Sequence, residues 1–564
     1  MKYILKIFTL FFVVLCFTSC KKDFLDVQNT AGIPDNLVWT DQSLINAYVN
    51  SIYNDARGQM DWNISSPSWA DEAGVGNNNQ YAKNVVYGRI TPDADELNYW
   101  PYAAIRRINT FMVNTENSSL TSDFLNPLKG QVYFLRAFQY FEMVKRYGGV
   151  PIITKPQTQS DSLFVKRNTT TECFAFIISD LDSAISLLPQ NEVELGRITK
   201  AAAIAYKGRV LLYKASPQFN LSGNLSLWTD AYIANKLAID SLNADGYGLF
   251  TDGNNPYNDL WFNEMNKEVI LVYRHNYPSN TTDRDAAVRP LSTSIYSSGS
   301  SQPTQELVDA FPMANGKSIS EDPEYNPQKF YENRDPRFYD VVVYNGAEWP
   351  LPSRSYTTQW TYVGYPIPSE AYGDGWGTST GYYCRKAVDM TLTQALCFYS
   401  GVDFIEMRYA EVMLNYAEAA NETGNTAIGY DMIGQIRKRA GIPAGSDNFY
   451  GLQPGMSQIE MRNAIKNERF VELCFENKRF WDLRRWRQLG QLTGTHRHAF
   501  VPYAVDVNNP GLGFTYKLAN NDVEQALDYP NNYYFLPISR TQILNNPNLE
   551  QTKGWENGTF DPLK

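Results

Sequence analysis

Helical periodicity runs along both ends of this chain and fails between residues 245 and 400, and no compact fold is possible that does not house that break. Before it, the spacing predicts helices over 41–55, 96–114, 131–147, 171–188, 199–215 and 229–243. In the third, Phe134, Ala137, Phe138, Phe141 and Val144 recur at helical spacing, and Gly148-Gly149 with Pro151 stop it. The fifth opens on Ala201, Ala202, Ala203 and Ala205, small residues that let a partner helix approach. After the break, helices are expected over 404–423, 426–440 and 457–475. Paired helices with small facing residues resemble tetratricopeptide hairpins. The expected fold is therefore mainly α, a helical-hairpin scaffold carrying one large irregular, loop-rich region.

Between residues 245 and 400, Gly, Pro, Asn, Ser and aromatics dominate, with strand-like pieces such as 269–273 and 341–344. Loops of that length in a compact protein are usually functional. Trp349, Trp360, Tyr362, Tyr365, Tyr372, Trp376, Tyr382 and Tyr383 lie among small polar residues, and Tyr296 precedes them. An exposed indole or phenol covers the C–H face of a sugar ring, while Asp, Asn or Arg bonds its hydroxyl rim. An earlier loop offers the same mixture: Trp69, Asp71, Glu72, then Asn77, Asn78 and Asn79. The expected ligand contacts are Trp69, Asp71, Glu72, Asn78, Tyr296, Trp349, Trp360, Tyr372 and Trp376. Against that, half or more of the rings would merely pin loops to the scaffold.

The N-terminus gives an address. Lys2 and Lys6 precede an apolar run from Ile7 to Phe17, then Thr18-Ser19-Cys20. A basic start, an apolar stretch too short to span a bilayer and small residues before a cysteine describe a lipoprotein signal over 1–19. Lipid on Cys20 then anchors the mature chain without a transmembrane segment. The alternative is an ordinary secretory signal with a chance cysteine. Without the leader the chain carries 48 basic and 60 acidic residues, a balance of −12 that disfavours nucleic acid. The four later cysteines, Cys173, Cys384, Cys397 and Cys474, are widely spaced and read as buried thiols, with a Cys384–Cys397 bridge as the lesser option.

Catalytic patterns are weak. Glu411, Asn415, Glu418 and Glu422 form a stripe that suits pairing with Arg437 and Arg439 better than acid–base work. Arg479, Trp481, Arg484, Arg485, Trp486 and Arg487 interleave basic and aromatic residues, with Glu468, Glu472 and Glu476 as partners upstream. Ser379 sits in a GxSxG string preceded by a glycine loop where a nucleophile elbow needs a strand. Gly316-Lys317-Ser318 ends like a P-loop, but Phe311 stands where its first glycine belongs. Three histidines, His275, His496 and His498, are little material for a metal site or a triad. Asp252, Asn254, Asn258 and Asp259 make a calcium-like run in which Tyr257 replaces the turning glycine, so no cofactor is expected and a structural calcium ion stays open.

Several strings, in order, resemble the SusD/RagB family of nutrient-binding outer-membrane lipoproteins of Bacteroidetes. They are CKKDFLDV from Cys20, LRAFQYFEMVKRYGGVPII from Leu135, GRITKAAAIAYKGRVLLY from Gly196, MRYAEVMLNYAEAANETGN from Met407 with IRKRAG from Ile436, IKNERFVELCFENKRFWDLRRW from Ile465 and FLPISRTQILNNPNLEQTKGW from Phe535. The resemblance implies a SusD-like N-terminal helical region over 20–244 and a RagB/SusD C-terminal region over 245–564 containing the 245–400 insert. It implies a surface-exposed, lipid-anchored outer-membrane protein that passes oligosaccharide or polysaccharide to a SusC-like TonB-dependent transporter and is not an enzyme. A peptide-binding RagB-like receptor is the alternative. A glycoside hydrolase stays open too, since 60 acidic residues leave a carboxylate pair in the aromatic loops available.

Overall fold

The computed structural model describes residues 35–74, 80–190, 194–293, 298–352, 357–364 and 378–564. Six helices of the N-terminal block build the scaffold: α1 (Gln42–Ala56), α2 (Tyr102–Glu116), α3 (Ser122–Tyr147), α4 (Thr170–Leu187), α5 (Lys200–Ala215) and α6 (Leu225–Ala244). Their starts follow local chemistry. Asp41 accepts from the Leu44 amide, Thr199 from Ala202, and Thr169 with Glu172 closes a capping box. Helix α2 begins later than the periodicity suggests. Pro101 occupies its cap, and an Asp95 side-chain oxygen accepting from the Leu97 amide holds the preceding residues in a turn.

Helices α3 and α4 form one hairpin and α5 and α6 the next. The second is tight at one point. A Cβ on Gly208 would stand 2.6 Å from Asn235 Oδ1, and the Asn235 amide donates to the Gly208 carbonyl at 3.0 Å. Here glycine is needed for close approach.

The chain then leaves the scaffold and returns by an antiparallel pair, β1 (Val269–Tyr273) with β2 (Phe404–Arg408). The helix expected over 404–423 is corrected accordingly. Phe404–Arg408 is buried throughout and bonds to β1, so the helix α7 (Tyr409–Glu422) starts only after it. Helix α7 packs on α6, on α8 (Thr426–Arg439) and on α9 (Gln458–Glu472), so the superhelix continues across the insertion. Helix α10 (Arg479–Arg485) and a hairpin of β3 (His498–Ala504) with β4 (Phe514–Asn520) complete the larger elements.

The insert has its own aromatic core. Phe330 meets Tyr331, Phe338, Tyr344, Tyr382, Phe500 and Tyr516 at centroid distances of 5.2–6.4 Å. Phe470, Val471 and Cys474 bring the end of α9 into the same cluster.

A buried ionic spine ties insert to scaffold. Arg337 bonds Asp335, Glu468 and Glu472, each at 2.7 Å, and Arg408 bonds Glu268, Glu472 and Glu476 at 2.6–2.8 Å. Arg439 reaches Glu268 and Glu472, Arg437 reaches Glu468, and Lys386 reaches Glu476. Five cations thus face five carboxylates with almost no solvent. A charge removed from water is tolerated only when it is paired in this way. The neighbouring guanidiniums hold Glu411, Glu418, Glu468, Glu472 and Glu476 below the usual carboxylate range despite burial.

The acidic stripe of α7 is structural as read, but its partners differ. Glu411 pairs with Arg209, Glu418 with Arg485, and Glu422 with Arg462, while Asn415 accepts from Arg469. Arg437 and Arg439 are engaged in the spine instead. All four described cysteines are free and buried, so the Cys384–Cys397 bridge is not formed. Among the described residues no helix is long and apolar enough to cross a membrane.

Candidate functional site

A cavity of about 730 Å³ lies in the insert, beside the β1–β2 pair. Five short pieces frame it: the turn Asn255–Phe262 with Glu264, the turn at Asn276–Tyr277, Asp340 on the helix Pro336–Val341, the loop Arg385–Leu392, and Tyr399–Asp403 leading into β2. Gly401 lets two of them meet, since a Cβ there would come within 3.2 Å of the Tyr277 amide nitrogen.

Three rings on this cleft face solvent: Tyr277 is 64% exposed, Tyr399 50% and Phe262 39%. Large aromatics are normally covered, so three around one cavity are surface kept available. Trp261 is buried beneath them.

Polar groups are fixed between the rings. The Asn255 amide donates to Asp340 Oδ1 at 2.6 Å, while Asp340 Oδ2 is buried without a partner. Burial pushes the Asp340 carboxyl up to about 6, against the opposing pull of Asn255 and Arg385. Asp389 Oδ1 accepts from the Thr391 amide at 2.9 Å and its hydroxyl at 2.6 Å. Asp403 accepts from the His275 amide at 2.7 Å and pairs with Arg274, which also bridges to Glu264. Such a cleft offers flat apolar faces and oriented hydrogen-bonding groups.

The residues expected to contact ligand are distributed differently. Trp349 is fully buried, covered on one side by the Arg385 guanidinium 5.8 Å from its ring, and has no face for a sugar. That expectation is corrected, as it is for Asp71 and Glu72. Asp71 forms a two-pronged ion pair with Arg479 at 2.7 and 2.8 Å. Glu72 is buried, accepts from the Phe475 amide at 2.7 Å, and has its carboxyl raised to about 8 by desolvation. Trp69 packs edge-on against Phe480, centroids 5.7 Å apart, and borders a separate hollow of about 470 Å³ with Asn63, Ser65, Asp95 and Glu96. Trp360 is half-buried against Phe514 and Tyr362. Cys20, Asn78, Tyr296, Tyr372 and Trp376 lie outside the described residues.

Reasoning from sequence missed Phe262, Tyr277 and Tyr399. Each sits in a short polar string, WFNE, HNYP and CFYS, that resembles ordinary turn sequence until the fold joins them.

Other motifs resolve into structure. Ser379 donates to Gln302 Oε1 at 2.6 Å and has no histidine partner. In the Arg–Trp cluster, Arg484 donates to the carbonyls of Lys145, Tyr533 and Tyr534, and Trp481 lies under Lys145 and Arg146. Glu468, Glu472 and Glu476, expected to face that cluster, belong to the spine. His498 pairs with Glu306 at 2.5 Å, and His496 is bonded to the Asp522 carbonyl. In the calcium-like run, Asp259 accepts from the Asn255 amide at 3.2 Å. Among the described residues no three His, Cys, Asp or Glu side chains are grouped to hold a metal ion.

Residues 267–555 match the sequence profile of the SusD family. The chain belongs to the SusD family. Residues 23–212 match a second profile of the same group, described as starch-binding and associating with the outer membrane. SusD-like protein P2 of Formosa agariphila is 25% identical over 566 residues, covering 97% of this chain and 99% of its own. A SusD-like protein from Bacteroides fragilis of known structure is 28% identical, with a TM-score of 0.76 over 93% of this chain and 99% of its own. A laminarin-binding SusD-like protein, 19% identical, has the same fold, with a TM-score of 0.61 over 92% of this chain and 100% of its own. The mainly helical scaffold inferred from periodicity is thus the SusD fold.

Proposed function

We propose that this SusD-family protein captures glycan at the bacterial cell surface, and that the cleft in the insert is where the sugar lies. One observation carries the reading: three exposed rings, Phe262, Tyr277 and Tyr399, share a 730 Å³ cavity with Asn255, Asn258 and Asp340. Rings of that kind cover the C–H faces of pyranoses, and the amides and carboxylates receive the hydroxyls. The laminarin-binding relative shares the architecture, which supports the same class of ligand. Capture is followed by delivery to a SusC-like TonB-dependent transporter, with lipid on Cys20 holding the protein on the outer membrane facing the exterior. The protein binds and releases its ligand without breaking bonds in it.

The test is calorimetry or affinity electrophoresis against a panel of polysaccharides, with Phe262→Ala, Tyr277→Ala and Tyr399→Ala. Each substitution weakens binding by about 1–3 kcal/mol, as for a contact hot spot. Circular dichroism stays unchanged, because the three rings are exposed. Wild-type affinity in all three variants, for a polymer that binds the native protein, places the site elsewhere.

A further inference from the structure

The charges of the cleft narrow the ligand further, and this step rests on the cleft being the glycan site. Among the described residues four carboxylates line it, Glu264, Asp340, Asp389 and Asp403, and the only lining cation is Arg385. Arg274, outside the lining, answers Glu264 and Asp403. Arg385 donates to the Glu348 carbonyl at 3.0 Å, leans over the Trp349 ring and faces Asp340. Among the described residues an entering carboxylate or sulfate therefore meets more carboxylates than cations, with the negative field of Asp389 and Asp340 against it. An anion in such a site gives up water for at most the one guanidinium that Asp340 already faces. A neutral hydroxyl has the opposite fit, since it can donate to the carboxylates that line the cleft.

We infer that the cleft selects neutral, hydroxyl-rich glycans and rejects uronic-acid-bearing or sulfated ones, with Asp340 and Asp389 as the residues that set the discrimination. The selection is electrostatic, so it follows the charge of the ligand more than its linkage.

The experiment uses the mature protein and matched polymers: starch, laminarin, xylan, mannan and galactan, each native and partly carboxymethylated. For any polymer that binds, the carboxymethylated form binds at least about tenfold more weakly at about 20 mM salt, and the ratio narrows at about 300 mM as screening grows. In Asp340→Asn/Asp389→Asn the ratio falls to within about threefold. The salt series on the wild-type protein decides the matter even if that double variant does not fold. Equal or tighter binding of the charged polymers overturns the selection while leaving a glycan site in place. A ratio that ignores salt also overturns it. If no polymer in the panel binds, the glycan reading falls and this inference falls with it.

Discussion

Replacing Glu472 by Gln tests how the insert is held to the scaffold. The carboxylate accepts from Arg337 at 2.7 Å and from Arg408 at 2.6 Å, and it also pairs with Arg439. Gln keeps the shape, but it leaves the spine with five buried cations against four carboxylates and places an amide N–H₂ against guanidinium donors. Breaking a buried pair by removing one partner costs about 3–5 kcal/mol, because the remaining charge stays desolvated. Unfolding entropy of roughly 2.1 cal/mol/K per residue makes the melting transition of a chain this long respond by about 1 °C per kcal/mol. The expected loss is therefore about 3–4 °C in differential scanning calorimetry. The exposed pair Lys236–Asp240 at 2.6 Å is the control, and Asp240→Asn should shift the midpoint by less than about 1 °C. A shift for Glu472→Gln no larger than that control would mean that the spine tolerates an unpaired cation, and the account of how insert and helices are joined would be wrong.

Glu72→Gln separates burial from charge. The native carboxyl is raised to about 8 by desolvation, so the folded state binds its proton more tightly than the unfolded chain, and the stability it confers at acid pH is lost as pH rises through about 8. The variant should match the native protein below about pH 4 and exceed it by up to about 5 kcal/mol near pH 9, read as midpoint against pH, and a pH-independent difference would refute the assignment. Trp349→Ala should cost about 3–5 kcal/mol in denaturant unfolding while the folded fraction keeps native glycan affinity, since the ring is fully buried. Cys20→Ala should release the protein from the membrane fraction, and continued labelling by a palmitate analogue would refute lipidation at that residue.

The scaffold was legible because its signals are local. The spacing of Phe134, Ala137, Phe138, Phe141 and Val144, the alanines of α5 and the stop at Gly148-Gly149 act within one or two turns, and helices form where they indicate. Failures came where a distant segment decided the outcome. Phe404–Arg408 has the composition to continue into α7 but pairs with Val269–Tyr273, more than a hundred residues away. Charged partners were right in kind and wrong in identity for the same reason. Glu411 finds Arg209 from the other helical block, and a helix-face pattern carries no record of which block arrives. The candidate site was harder still. An aromatic excess reports rings without saying which are covered. Trp349 was inferred to bind because tryptophan suits sugar, yet its size also makes it the natural centre of a loop core.

On the proposed reading, the arrangement separates what stabilises the fold from what would meet the ligand. Glu472 ends α9, Arg337 and Arg408 reach it from the insert and from β2, and all three are buried. Phe262, Tyr277 and Tyr399 lie on turns whose backbone is fixed by other groups: the Asn276–Asn280 bridge at 2.7 and 2.9 Å, and the paired amide and carbonyl of Thr282 and Ser400. A substitution at Tyr277, 64% exposed, removes less buried area than one in the spine, so it changes folding less while altering the surface of the cleft. A substitution in the spine does the reverse. On this architecture the ring positions can be exchanged for a different ligand with little cost in stability, because the ionic junction beneath them is complete without them.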